Sequence, residues 1–204
     1  KIIIVEDEKS IRNGLVKMLP KLDPEYEVLG SAKDGSEGYQ RILAEQPDLV
    51  IMDIEMPEMD GLTMLEKLRK EGFAGKAVVL TAYSDFSYAK RAIELGIENY
   101  LLKPIKLEEL KKTLGTVSAS LRQEAGTRKI QEKLLSLILA AKNELKVISS
   151  GFNEAHDHDL TEFYIYQKRA AELKYKHLLK LYRENQFEEF LLAQPEMSQY
   201  RMVH

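Results

Sequence analysis

The chain contains no cysteine. Disulfide frameworks and thiolate metal sites are therefore excluded, and a reducing compartment such as the cytoplasm is the expected location. Long hydrophobic runs are missing too. The longest wholly apolar stretch near the middle, residues 137–141, falls far short of the roughly 20 residues that a bilayer-spanning helix needs, so no membrane partner is expected. The first residues, Lys1-Ile2-Ile3-Ile4-Val5, turn acidic at Glu6 and lack the length and cleavage pattern of a secretory signal. Basic charge is not in excess. The net charge is −3, with −4 in residues 1–113 and +1 in the remainder, which is unlike a chain that binds nucleic acid along its whole length. What is present is ordinary for a globular chain. Hydrophobic residues make up 44% and charged residues 31% of 204, enough to bury a core in one domain plus something smaller.

The first part alternates short apolar runs with amphipathic stretches. The runs are residues 2–5, 28–32, 49–52, 77–80 and 100–102. Three are almost continuously apolar, as strands covered on both faces of a parallel sheet are. Helical spacing lies between them: residues 10–19 with Pro20 as a stop, 35–44, 62–68 with Gly72 beyond, 85–95 with Gly96 as a C-cap, and a last helix starting after Pro104 near Lys106. Five β-α units in series predict an α/β layer fold with right-handed crossovers. From residue 114 to 204 no strand pattern occurs. Leu107, Leu110, Leu114, Val117 and Leu121 alternate three and four apart, which predicts a short coiled-coil-like seam interrupted by Glu124, Gly126 and Arg128. Residues 151–159 read as a polar loop, and 160–183 and 186–192 as two further helices.

Ligands of open parallel sheets bind at the carboxyl ends of the strands. The first predicted strand ends in Glu6-Asp7, the third in Asp53, the fourth in Thr81 and the fifth in Lys103-Pro104. Singly, such residues are solvated loop groups. Together they would place three carboxylates, a hydroxyl and an ammonium at one edge. Gathered carboxylates repel, and a hard divalent cation relieves the repulsion. Mg²⁺ suits carboxylate oxygens, waters and a phosphate. Asp53 is then the expected nucleophile toward phosphorus, since carboxylates form acyl phosphates. Lys103 and the cation would neutralise the phosphoryl oxygens.

The segments Ile3-Ile4-Val5-Glu6-Asp7-Glu8, Met52-Asp53-Ile54-Glu55-Met56-Pro57-Glu58-Met59-Asp60-Gly61, Val79-Leu80-Thr81-Ala82 and Tyr100-Leu101-Leu102-Lys103-Pro104 resemble the receiver domain of two-component response regulators. The resemblance covers residues 1 to about 113. It implies a flavodoxin-like, doubly wound five-stranded sheet of order 2-1-3-4-5, followed here by an all-α region in residues 114–204. It implies that Asp53 is the phospho-acceptor and that Glu6, Asp7, Asp53 and the Glu55 backbone carbonyl hold Mg²⁺. It further implies that Thr81 and Lys103 sense the phosphate, that Tyr100 turns inward with Thr81, and that the Lys103–Pro104 bond is cis. The implied partner is a sensor histidine kinase, and the implied role is a self-dephosphorylating switch rather than a separate enzyme. Glu6 stands where aspartate is commoner and keeps the charge. Glu55 and Tyr83 are expected to flank the approach of water and to tune the phosphate's lifetime, or else to be exposed loop side chains without a role. Without Thr81 and Lys103 nearby, Tyr100 would read as a packing residue.

The stretch Thr81-Ala82-Tyr83-Ser84-Asp85-Phe86-Ser87-Tyr88-Ala89-Lys90-Arg91-Ala92 resembles more closely the receivers of the AraC/YesN-type subfamily, which are joined to a helical middle region and an AraC-type DNA-binding domain. The first expectation for output is therefore transcription regulation, by a homodimer paired through the 107–121 helix, with DNA bound by a domain beyond His204. The alternative is a stand-alone switch acting through protein contacts of residues 114–204. A receiver-controlled enzyme ranks last, because no second catalytic constellation is legible there. Lys168, Arg169, Lys174, Lys176, Lys180 and Arg183 could touch phosphates, but read better as a solvated face. His156-Asp157-His158-Asp159 could bind a metal, but reads better as a polar loop.

Overall fold

The computed structural model describes residues 1–82, 91–154 and 157–185. Five strands, β1 (Ile2–Val5), β2 (Val28–Ala32), β3 (Leu49–Asp53), β4 (Lys76–Thr81) and β5 (Asn99–Leu102), form one sheet in the order β2-β1-β3-β4-β5. Every pairing is parallel. The helices are α1 (Lys9–Leu22), α2 (Gly35–Glu45), α3 (Gly61–Lys70), α4 (Leu107–Glu154) and α5 (His158–Glu184). Residues 91–94 are helical as well. The contacts group into two units, Lys1–Leu121 and Arg122–His204.

Alternation along each strand explains the apolar runs. Ile3, Val5, Val50, Met52, Ala77 and Val79 face one core with Ile42 of α2 and Leu62, Leu65 and Leu68 of α3. Ile2, Ile4, Leu49, Ile51, Val78 and Leu80 face the other, against Leu15 and Leu19 of α1 and Leu110, Leu114 and Val117 of α4. Both faces of the sheet are thus covered, the condition under which parallel strands lose their polar positions. The flavodoxin-like order 2-1-3-4-5 is as expected.

Several boundaries differ from the sequence reading. Helix α1 continues through Pro20 to Leu22. The Asp23 amide closes the helix on the Leu19 carbonyl, one residue before the proline. The seam expected to pair two chains is already used within this one: Leu110, Leu114 and Val117 pack on the sheet, and only Leu107 of that start is exposed. Nor do Glu124, Gly126 and Arg128 interrupt anything, since α4 runs on to Glu154. A single exposed glycine costs a helix only about 1 kcal/mol, and propagation through it is cheap. The polar loop expected at 151–159 is mostly helix, because α4 includes Gly151 and Asn153, and α5 starts at His158. Tyr83, the first part of the 85–95 helix, His156 and the 186–192 helix lie outside the described residues.

Candidate functional site

Strand register sets the site. Val5 is level with Met52, Asp53 with Leu80 and Thr81 with Leu102. Glu6, Asp53 and Lys103 therefore leave adjoining strands at nearly the same height. Ligand oxygens of Glu6, Asp7 and Asp53 all lie within 4.8 Å of one another, making this the one cluster with metal-ligand spacing among the described residues. The Lys103 ammonium donates to Asp53 Oδ2 at 2.6 Å and to Glu6 Oε1 at 2.8 Å, and Glu6 Oε2 lies equally near. Glu6 is fully buried while Asp7 is exposed, so the pocket is dry behind and open in front.

The charges answer to that placement. Burial pushes the Glu6 carboxyl above the usual range, and the Asp53 charge adds to the push. Lys103 and the Glu8 amide pull it back only in part. Burial alone would lower the Lys103 ammonium. Hydrogen bonds and charge from Asp53 and Glu6 outweigh burial and hold it above its ordinary value. The cluster thus keeps one cation between two anions.

Local chemistry fixes the loops. Arg12, one turn into α1, donates from Nη1 to the backbone carbonyls of Glu6 (2.6 Å) and Asp7 (3.0 Å), clamping the loop that carries both acids. After β3, the Glu55 amide donates to Asp53 Oδ1 at 3.3 Å, Glu58 takes a left-handed φ of 65°, and the Gly61 amide returns to the Ile54 carbonyl at 2.9 Å. The Asp60 side chain then caps α3 by accepting from the Thr63 amide at 2.8 Å. A Cβ on Gly61 would overlap the Asp53 carbonyl oxygen. Gly61→Ala should consequently lower stability by about 2 kcal/mol. Gly115→Ala, where a Cβ meets nothing within 4 Å on exposed helix, should raise it by about 0.5–1 kcal/mol. Urea denaturation of the pair checks both signs.

The remaining expected residues fall as follows. Thr81 is buried at the end of β4, and its carbonyl accepts from the Lys103 amide at 2.7 Å. Tyr100 is half-buried on β5, level with Val79, and packs against the α2–α3 core. The Lys103–Pro104 bond is cis. The Glu55 side chain is exposed. His158 and Asp159 open α5 and join no metal-spaced group among the described residues. Sequence reasoning missed Arg12 and Gly61. The arginine looks like any solvated helix residue, and the glycine like any loop glycine, until the chain's return onto Asp53 is seen.

Strand-end acids bridged by an ammonium on a 2-1-3-4-5 sheet are the arrangement of a receiver-type signalling domain. Residues 2–115 match the response regulator receiver domain, and the chain belongs to that family. Residues 121–189 match a second family, described only as a protein of unknown function, DUF2508. Among curated relatives, the uncharacterized transcriptional regulatory protein YesN of Bacillus subtilis is 32% identical over 124 residues, covering 61% of this chain and 34% of that protein. The transcriptional regulatory protein HptR of Staphylococcus aureus is 35% identical, covering 61% and 48%. The chain thus spans about a third to a half of the length of these relatives. Among solved structures, the receiver domain of AraT, a response regulator from Geobacillus stearothermophilus, is 34% identical with a TM-score of 0.56, covering 61% of this chain and 96% of that one. No helix among the described residues is long and apolar enough to cross a membrane.

Proposed function

We propose that residues 1–113 form a phosphorylation switch in which Asp53 takes a phosphoryl group from a phosphohistidine of a sensor kinase, and that residues 114–204 form a linker or effector region. One observation carries this reading: three carboxylates within 4.8 Å, one of them fully buried and two held by a single ammonium. A fold tolerates such repulsion where the site serves chemistry.

The donor set fits a hard cation. It offers only oxygens, and exposed Asp7 leaves the outer side free for water. Glu6, Asp7, Asp53 and the Glu55 carbonyl would hold Mg²⁺, which when bound neutralises charge on the phosphoryl oxygens. An Asp53 carboxylate oxygen bonds to phosphorus as the P–N bond breaks, and the electron pair leaves with the imidazole. Lys103, already on Asp53, shifts to a phosphoryl oxygen. The buried Thr81 hydroxyl donates to another, and Tyr100 follows inward, so phosphorylation biases a two-state surface. The dry back wall at Glu6 slows hydrolysis from that side. The names of YesN and HptR favour a transcriptional output, which in the cytoplasm would run through a DNA-binding domain and a homodimer. The large apolar side chains exposed along the helical region, Leu137, Val147, Phe163 and Leu173, favour a second reading, in which that region itself binds a protein partner.

Labelling with a small phosphodonor tests the central claim. Near-stoichiometric, alkali-labile phosphate should appear with Mg²⁺ and vanish with EDTA. Label that is indifferent to EDTA, or stable to alkali, removes the proposal.

A further inference from the structure

Arg12, the fourth residue of α1, is a cation near a helix N-terminus, where the helix dipole disfavours one. Its Nη1 donates to two backbone carbonyls, those of Glu6 and Asp7, rather than to a carboxylate. A peptide unit is planar and trans, so its C=O and N–H point in opposite directions. Holding the Asp7 carbonyl against α1 therefore turns the N–H of the same unit, that of Glu8, the other way. That N–H donates to Glu6 Oε1 at 3.2 Å. On the other side, the Glu6 amide is fixed to the Ala32 carbonyl of β2 at 3.1 Å. The turn that carries Glu6 and Asp7 is thus held from β2 and from α1, and the buried Glu6 carboxylate is oriented through one peptide plane.

We propose that Arg12 is a positioning residue for cation binding: it acts through the Glu6 and Asp7 carbonyls to hold the two carboxylates in the arrangement that a divalent ion requires. The inference rests on the reading that this cluster takes Mg²⁺. Magnesium tolerates little departure from octahedral geometry, so a turn free to rotate its peptides must be ordered at the expense of affinity. Groups that orient ligands without touching the ion commonly account for about 10–100-fold in affinity. Charge alone predicts the opposite sign. A guanidinium near the cluster repels a divalent ion, and deleting it would tighten binding if that repulsion dominated. The fold asks less of Arg12. The Asp7 carbonyl accepts at an exposed position, where water can replace the guanidinium as a donor but does not fix the peptide plane.

Mg²⁺ titrations of the full 204-residue chain, read as the rise of the urea midpoint, give the dissociation constant of each form. Arg12→Ala should raise that constant by about tenfold or more, while its midpoint in EDTA falls little. Arg12→Lys, which returns a charged donor to the same carbonyls, should recover most of the affinity. Arg12→Gln, neutral with a shorter donor, should fall between the alanine variant and the wild type. Should Arg12→Ala fail to fold, weaker Mg²⁺ binding by Arg12→Gln than by the wild type carries the test. An unchanged or smaller dissociation constant in these neutral variants overturns the inference, even where the EDTA midpoint falls. A purely structural arginine would lower that midpoint and leave the response to Mg²⁺ alone. A wild type whose midpoint ignores Mg²⁺ overturns the reading of the site, and the inference with it.

Discussion

Asp53→Asn should abolish phosphodonor labelling while leaving the protein as stable as before, or more so. The amide keeps the shape of the carboxylate but not its nucleophilic charge, and loss of a nucleophile costs about 10³-fold or more in rate. The structure explains why the fold should not suffer. Asp53 contributes one of three negative charges gathered within 4.8 Å. Removing it relieves repulsion on Glu6, whose carboxyl the Asp53 charge pushes upward. Lys103 keeps its contact with Glu6 at 2.8 Å, so no buried cation is orphaned. An equal or higher urea midpoint together with lost label separates chemistry from misfolding. Retained label at wild-type rate would place the acceptor elsewhere. A fall in stability of more than about 1 kcal/mol would mean that the cluster is net attractive without a cation, contrary to the charge balance argued here.

The acidic edge was legible because parallel strands report their own ends. Once residues 2–5, 49–52 and 77–80 read as fully buried strands, Glu6, Asp53 and Thr81 had to emerge together, and the sheet delivers Lys103 to the same place across 97 residues of sequence from Glu6. Helix boundaries were less legible. Pro20 looked like a stop because proline costs a helix interior about 3 kcal/mol, yet α1 continues through it to Leu22. The Leu107–Leu121 spacing looked like a seam between chains because an apolar three-four repeat is the same whether it meets a sheet or another helix. Only the tertiary contact of Leu110, Leu114 and Val117 with the sheet decides. The clamp of Arg12 on the Glu6 and Asp7 carbonyls uses backbone acceptors, and backbone acceptors leave no mark in a sequence.

Lys103→Met should produce the largest loss of stability among single changes at this site, about 3 kcal/mol at neutral pH in EDTA, the lower end of what breaking a buried ion pair costs. The methionine fills the space of the lysine stem but leaves Glu6, fully buried, facing Asp53 with no cation between them. The pocket opens toward Asp7, which allows water some access and keeps the loss from being greater. The pH dependence gives the claim its sign. The Lys103 ammonium is held above its ordinary value, so its stabilisation is fully present below the lysine value of about 10.4 and fades as pH rises through the higher folded value. The gap between wild type and variant should therefore close on the alkaline side. Glu6 is also raised. Protonating it on the acid side removes one of the two anions that the ammonium served, so the gap should narrow again as pH falls through the elevated Glu6 range. Mg²⁺ should restore more stability to the variant than to the wild type, since in the variant no ammonium competes for the same oxygens. Urea denaturation across pH, with and without Mg²⁺, reads all three trends. A gap that stays flat from acid to alkali would mean that Lys103 contributes only packing, and the electrostatic account of the pocket would fail with it.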